Sequence, residues 1–179
     1  MRYLYLLLLL ANIATAQTKI VAIEDRDDYL RGGSMDGIYF KDINNSIDKY
    51  TGKWEFNNEK LEVEIEIFKI EKQDKNLHYE DEILGNIRYR RKNSENLDWK
   101  EYSNLLQCGF FISGKTDKYY IIFTEAPDVK NYNLCGRVCV VSLTNDITNK
   151  SIIWQIERSE PVFNQTAGKF PDTMKFNKM

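Results

Sequence analysis

The run Leu61-Glu62-Val63-Glu64-Ile65-Glu66-Ile67 constrains this chain more than any other stretch. Apolar side chains at every odd position and glutamate at every even one cannot form the stripe of a 3.6-residue helix. They fit a β-strand with one face buried and one face wet. Strands of that kind belong to antiparallel sheets, because parallel ones are covered on both faces. The period of two persists along the rest of the chain. Trp54 and Phe56 flank Glu55, and Asn57-Asn58 offers a tight turn before Leu61. Ile83, Gly85, Ile87 and Tyr89 alternate with polar Asn86, Arg88 and Arg90, and apolar runs follow at 110–112, 119–123, 137–143 and 152–156. Met174 and Phe176 mark a closing strand. The apolar parity flips at Phe68 and Ile70, which predicts a bulge or a bend in the long strand.

The connections are short and turn-like. Gly114 to Asp117 and Asn145 to Asn149 have hairpin composition, and Pro127, Pro161 and Pro171 fall between strands, where a missing N–H does no harm. About eight strands joined to their sequence neighbours make an all-β antiparallel meander. Its exposed edges predict closure into a barrel or a strongly curved sheet over residues 51–179. Residues 17–50 read as an irregular N-terminal segment. Ile20 to Ile23 is a short strand there, and Glu24 to Asp28 an acidic solvated turn without the ordered carboxylates and glycine of a calcium loop. Arg31 to Gly37 is turn-prone and fits neither phosphate-loop template. Apolar residues at 40, 43, 47 and 50 predict a short helix of one or two turns.

Residues 1–16 have a different character. Arg2, the apolar run Tyr3 to Ala11, and Ala14-Thr15-Ala16 ahead of Gln17 have the order of an export signal cleaved between Ala16 and Gln17. The run is interrupted by Asn12 and is too short for the ~20 residues that span a bilayer. No cysteine stands near the cut, so a lipid-modified N-terminus is not expected, and no later run is long enough to span. The expected location is the periplasm or the outside of the cell.

Two resemblances follow from these residues. Gly52-Lys53-Trp54, entering the first long strand, resembles the G-x-W signature of lipocalin-type (calycin) barrels. That resemblance implies a tryptophan plugging a closed end, covered by a cation from a late strand, for which Arg137, Arg158 and Lys175 are the candidates. More of the chain resembles an uncharacterised family of exported Bacteroidota proteins. The matching stretches are Tyr39 to Asn45, Tyr50 to Trp54, Tyr79 to Gly85, and Pro171-Asp172-Thr173-Met174. Asp172-Thr173-Met174 also resembles the short sites such bacteria glycosylate, and equally reads as the start of the last strand.

The chemistry on offer is limited. With 25 Lys+Arg against 27 Asp+Glu the charge is near balance, and export together with the alternation in Arg88 to Lys92 argues against a nucleic-acid partner. His78 is the only histidine, which excludes any site needing two imidazoles. It stands beside Glu80 and Glu82 and reads as an exposed loop residue at a strand start, without a nucleophile placed by sequence. Glu62, Glu64 and Glu66 share one strand face instead of converging across a cleft. No catalytic residue, cofactor or metal ligand set is assigned. The spacing of Cys108, Cys135 and Cys139 is not that of a zinc site. In an oxidising compartment the meander places Cys108 and Cys135 at one end, giving a Cys108–Cys135 disulfide with Cys139 a free core thiol, ahead of a Cys135–Cys139 bridge. Trp54, Tyr89, Phe123 and Trp154 fall on inward faces of different strands, where they either line a cavity or fill the core. The expectation is a non-enzymatic barrel for a small apolar or amphipathic ligand. The alternatives are a structural or interaction protein with a filled barrel, and an enzyme of unknown type.

Overall fold

The computed structural model describes residues 18–92, 98–112, 115–124, 137–146, 148, 150–161 and 170–179. Among the described residues ten strands form one large mixed sheet. They are β1 (Lys19–Ala22), β2 (Ile38–Lys41), β3 (Gly52–Asn57), β4 (Leu61–Asp74), β5 (Tyr79–Arg91), β6 (Lys100–Ile112), β7 (Lys115–Thr124), β8 (Arg137–Asn145), β9 (Ser151–Pro161) and β10 (Thr173–Lys178). The eight strands β3 to β10 are the ones the alternation predicts. Each pairs antiparallel with its sequence neighbour, and β10 returns to pair with β3 through Asn177↔Glu55 and Lys178↔Trp54.

The glutamate face of β4 is answered by β5. The registers Glu62↔Arg90 and Glu64↔Arg88 put opposite charges side by side, and Arg88 Nε donates to Glu64 Oε2 at 2.7 Å. Such cross-strand pairs hold register, and in water each contributes no more than about 1 kcal/mol. The predicted break in β4 lies between Ile70 and Gln73, two residues beyond the parity flip, where Lys72 takes φ +53°.

The N-terminal part differs from the expectation. It is not irregular: β1 pairs parallel with β2, and β2 pairs parallel with the start of β5 through Tyr39↔Tyr79 and Phe40↔Glu80. The helix is α1 (Arg26–Gly32), in the stretch read as a solvated acidic turn. Asp27 and Asp28 in its first turn and Arg31 in its last suit the helix dipole, and Arg31 reaches Asp27 at 2.8 Å. Where a helix was predicted, Ile38–Lys41 is strand and Asp48–Tyr50 is a single 3-10 turn, whose i, i+3 spacing also satisfies Ile47 and Tyr50.

This arm shapes the sheet. β5 carries β2 along its first part and β6 only along Gly85 to Tyr89, so the outcome is a mixed sheet, not a cylinder paired along its whole height. The arm's 3-10 turn Ile23–Asp25 and α1 lie against β6. The core is continuous: Trp54, Trp154, Tyr50, Tyr119, Phe40 and Phe176 are fully buried, each large side chain stabilising by about 1.5–3 kcal/mol on transfer from water. No helix among the described residues is long and apolar enough to cross a membrane.

Candidate functional site

The chain that leads into β3 packs across one end of the meander. Tyr50 stacks on Tyr119 with ring centres 5.7 Å apart, and its hydroxyl donates to the Asp117 carbonyl at 3.2 Å. Trp54 Nε1 donates to the Tyr50 carbonyl at 2.9 Å, and Asn145 Nδ2 donates to the Lys49 carbonyl at 2.6 Å. The cation covering Trp54 is Lys178, with Nζ 5.2 Å from the ring centre, not Arg137, Arg158 or Lys175. The reason is register, since β10 runs past β3 with Lys178 opposite Trp54. Gly52 takes φ +121°, and a Cβ there would make only ordinary contact with the Lys178 stem, so the glycine of Gly52-Lys53-Trp54 answers a backbone requirement.

The other end is built differently. There β5, β7 and β9 finish and β6, β8 and β10 begin, whereas β4, β6 and β8 finish at the end where Tyr50 and Trp54 pack. At this other end Tyr89 meets Phe170 edge-to-face at 5.0 Å, and Trp99 lies against the guanidinium groups of both Arg88 and Arg90 at 4.8 Å. Of the predicted cavity-lining aromatics, Trp54, Tyr89 and Trp154 are buried in the core, and Phe123 occupies β7 between Leu106 and Cys139 in register. A cleft of about 290 Å³ opens on the outer face of β3–β6, lined by Lys53, Glu64, Glu66, Asn86, Arg88 and Glu101 among others, and by none of those aromatics. Cys108 and Cys139 fall within β6 and β8, while Cys135, Ala16 and Gln17 lie outside the described residues.

The least expected feature is a buried charged cluster at the start of β5. Asp42, His78, Glu80, Asp81 and Glu82 are each less than a tenth exposed. Sequence places His78 at an exposed loop; instead it is 7% exposed, because β2 lies beside it and Phe40 meets its ring at 5.5 Å. Its Nε2 stands 3.3 Å from Glu80 Oε2, and its Nδ1 is buried without a partner among the described residues. Arg26 Nε of α1 approaches the same Glu80 oxygen at 2.9 Å, and Lys75 Nζ pairs with Glu82 at 2.7 Å. Tyr119 reaches this cluster from β7. Burial, then the charges of Glu80 and Glu82, pushes its phenol well above the ordinary range, so it stays protonated.

The opposite face of β5 carries a structural carboxylate. Asp81 accepts from the Tyr39 hydroxyl at 2.6 Å, the Asp42 N–H at 2.9 Å and the Lys72 N–H at 2.9 Å. Asp42 in turn accepts from the Ser46 N–H at 2.6 Å and from Lys69 Nζ at 3.2 Å. These bonds fix the arm and the β4 bulge to β5. Chemically, the cluster offers one imidazole held by a carboxylate and closed off from water. Among the described residues no group of three or more His, Cys, Asp and Glu side chains is placed to hold a metal ion.

No curated protein and no solved structure matches the chain significantly. A family model described as "Family of unknown function (DUF6705)" matches residues 1–162. With nearly the whole chain covered, this protein belongs to the DUF6705 family, a family of unknown function.

Proposed function

We propose that this chain is an exported, non-enzymatic binding module of barrel-like character, taking a small apolar or amphipathic ligand at the end of the meander where β5, β7 and β9 finish. The observation that carries the reading is the asymmetry of the two ends. Tyr50, Trp54 and Lys178 pack across one, and at the other, where β5, β7 and β9 finish, stand Tyr89 with Phe170 and Trp99 with Arg88 and Arg90. Loops held on a sheet scaffold are where recognition is usually built. The aromatic pair Tyr89–Phe170, buried at that end of the core, supports apolar surroundings for such a site.

A second reading, a filled barrel acting as an interaction protein of the envelope, draws on the burial of Trp54, Tyr89 and Trp154 in one continuous core. Native mass spectrometry of protein purified from its own host separates the two. The binding reading expects a small-molecule adduct that leaves on mild activation, and a bare polypeptide mass would count for the filled barrel. The same spectrum tests export, which expects a mass beginning at Gln17.

A further inference from the structure

The outer face of β3 to β6 carries its charges in rows. Register sets Lys53, Glu66 and Asn86 side by side across β3, β4 and β5, and Glu64, Arg88 and Glu101 across β4, β5 and β6. The two rows stand two residues apart along β4 and β5, a spacing of about 7 Å. Between them lies the cleft of about 290 Å³, floored by the backbone at Ile65 and Ile87, whose side chains belong to the core. Pairing runs along the rows: Lys53 Nζ stands 3.5 Å from Glu66, and Arg88 Nε donates to Glu64 at 2.7 Å while its Nη1 stands 3.7 Å from Glu101. Beside Arg88 lies Trp99, half-buried, with the guanidinium groups of Arg88 and Arg90 each 4.8 Å from its ring centre.

We propose that this trough binds a neutral carbohydrate of one or two rings, at a site separate from the one that takes the apolar ligand. Lys53 and Arg88 are the cations of the lining, and both already face carboxylates, so a phosphate or an organic acid meets no unmatched positive charge. A hydroxyl group is donor and acceptor at once. It can accept from Lys53, Arg88 or Asn86 and donate to Glu64, Glu66 or Glu101 with the ion pairs kept. The separations of 3.5 Å and 3.7 Å are of the length at which a water or a hydroxyl bridges two polar groups. Bonds to ionised side chains are the stronger kind, and these side chains stand on strands, which fixes their spacing. The C–H face of a sugar ring is apolar and packs on an aromatic surface, which Trp99 supplies next to the trough. The volume lies close to the lower limit of ~300 Å³ for small-molecule sites, which suits a ligand of that size.

Titration of the isotope-labelled full chain with maltose, cellobiose, chitobiose and mannobiose, followed by amide and indole resonances, tests this. At least one of these sugars should shift the signals of Asn86, Arg88 and Trp99 with a dissociation constant of about 0.1–10 mM. Trp99→Ala and Glu66→Gln should each weaken that binding about tenfold. Both replace side chains that are not part of the core, so the fold should persist. Phe170→Leu, at the end assigned to the apolar ligand, should leave the sugar affinity unchanged. Inorganic phosphate and putrescine at the same concentrations should leave the three signals in place. No shift with any of the sugars, larger shifts at these residues with phosphate or putrescine, or sugar binding indifferent to both Trp99→Ala and Glu66→Gln would each overturn the proposal.

Discussion

Replacing Asp81 by alanine should be the most damaging single change in the N-terminal half. The carboxylate is 1% exposed and receives three donors, the Tyr39 hydroxyl and the N–H groups of Asp42 and Lys72. Each donor left buried without a partner costs about 1–3 kcal/mol, so three together cost about 3–9 kcal/mol, lowered by whatever water enters the gap. Lys72 also sits at φ +53°, and losing its N–H acceptor removes what holds that conformation. Against a domain stability of about 5–15 kcal/mol, Asp81→Ala should be folded only marginally. Equilibrium urea unfolding followed by tryptophan fluorescence is the measurement. Tyr39→Phe removes one donor and leaves Asp81 two, so it should cost about 0.5–1.5 kcal/mol. In the Asp81→Ala/Tyr39→Phe double variant the phenol is no longer orphaned. The pair should therefore be less than additive by at least about 1 kcal/mol. Asp81→Ala within about 1 kcal/mol of wild type, or a strictly additive pair, would refute the assignment of Asp81 as the clamp between arm, bulge and β5.

Other outcomes can be checked in parallel. A Cβ at Gly109 would come closer than 3.0 Å to the Tyr119 ring and hydroxyl, so Gly109→Ala should destabilise by about 1–3 kcal/mol, and by much less when Tyr119 is alanine. The Asp146 carboxyl is held down to about 2, first by the Ser151 hydroxyl and then by the N–H groups of Lys150 and Ser151 and the Thr148 hydroxyl. Because its folded value lies below the unfolded one, its contribution is present above about pH 4 and lost as pH falls through about 2. Ser151→Ala should move the Asp146 carbon resonance titration upward. Lys178→Met should alter the emission of Trp54 and lower stability by no more than about 1 kcal/mol, since the cation over the ring is replaced by an apolar stem. Peptide mapping without reductant should find Cys108 joined to Cys135 with Cys139 alkylatable after unfolding, and a Cys135–Cys139 peptide would reverse that assignment.

The strands were legible because their physics is local. The alternation from Leu61 to Ile67 needs only two faces, one wet and one dry, and β4 pairs accordingly with Arg88 and Arg90 opposite its glutamates. The arm was not legible because its physics is remote. Nothing near Tyr39 in the chain announces a parallel partner at Tyr79, and parallel pairing leaves no alternation to read. His78-Tyr79-Glu80-Asp81-Glu82 looks like an exposed strand entry for the same reason: charged residues read as solvated until a second layer is known to cover them. The one available signal was Asp81 amid residues of opposite parity, since a strand with polar residues on consecutive positions either faces water twice or is clamped twice. The choice of Lys178 over Trp54 likewise depended on register, which two strands so distant in sequence cannot reveal alone.

The pairing of β3 with β10 also governs the order in which the molecule can form. A hairpin such as β3–β4 can close as soon as Asn58 turns it, because its side chain takes the Lys60 and Leu61 N–H groups within a few residues. Trp54, however, is not covered until Lys178 arrives from the far end of the sequence, and β2 waits for β5 before its parallel edge is satisfied. Contacts of such separation are slow to form, and a chain emerging N-terminus first carries open strand edges until its last strand is delivered. Under the export proposed above, that delay would hold the chain in a threadable state. It also marks the interval in which a chaperone on the far side would have a surface to hold.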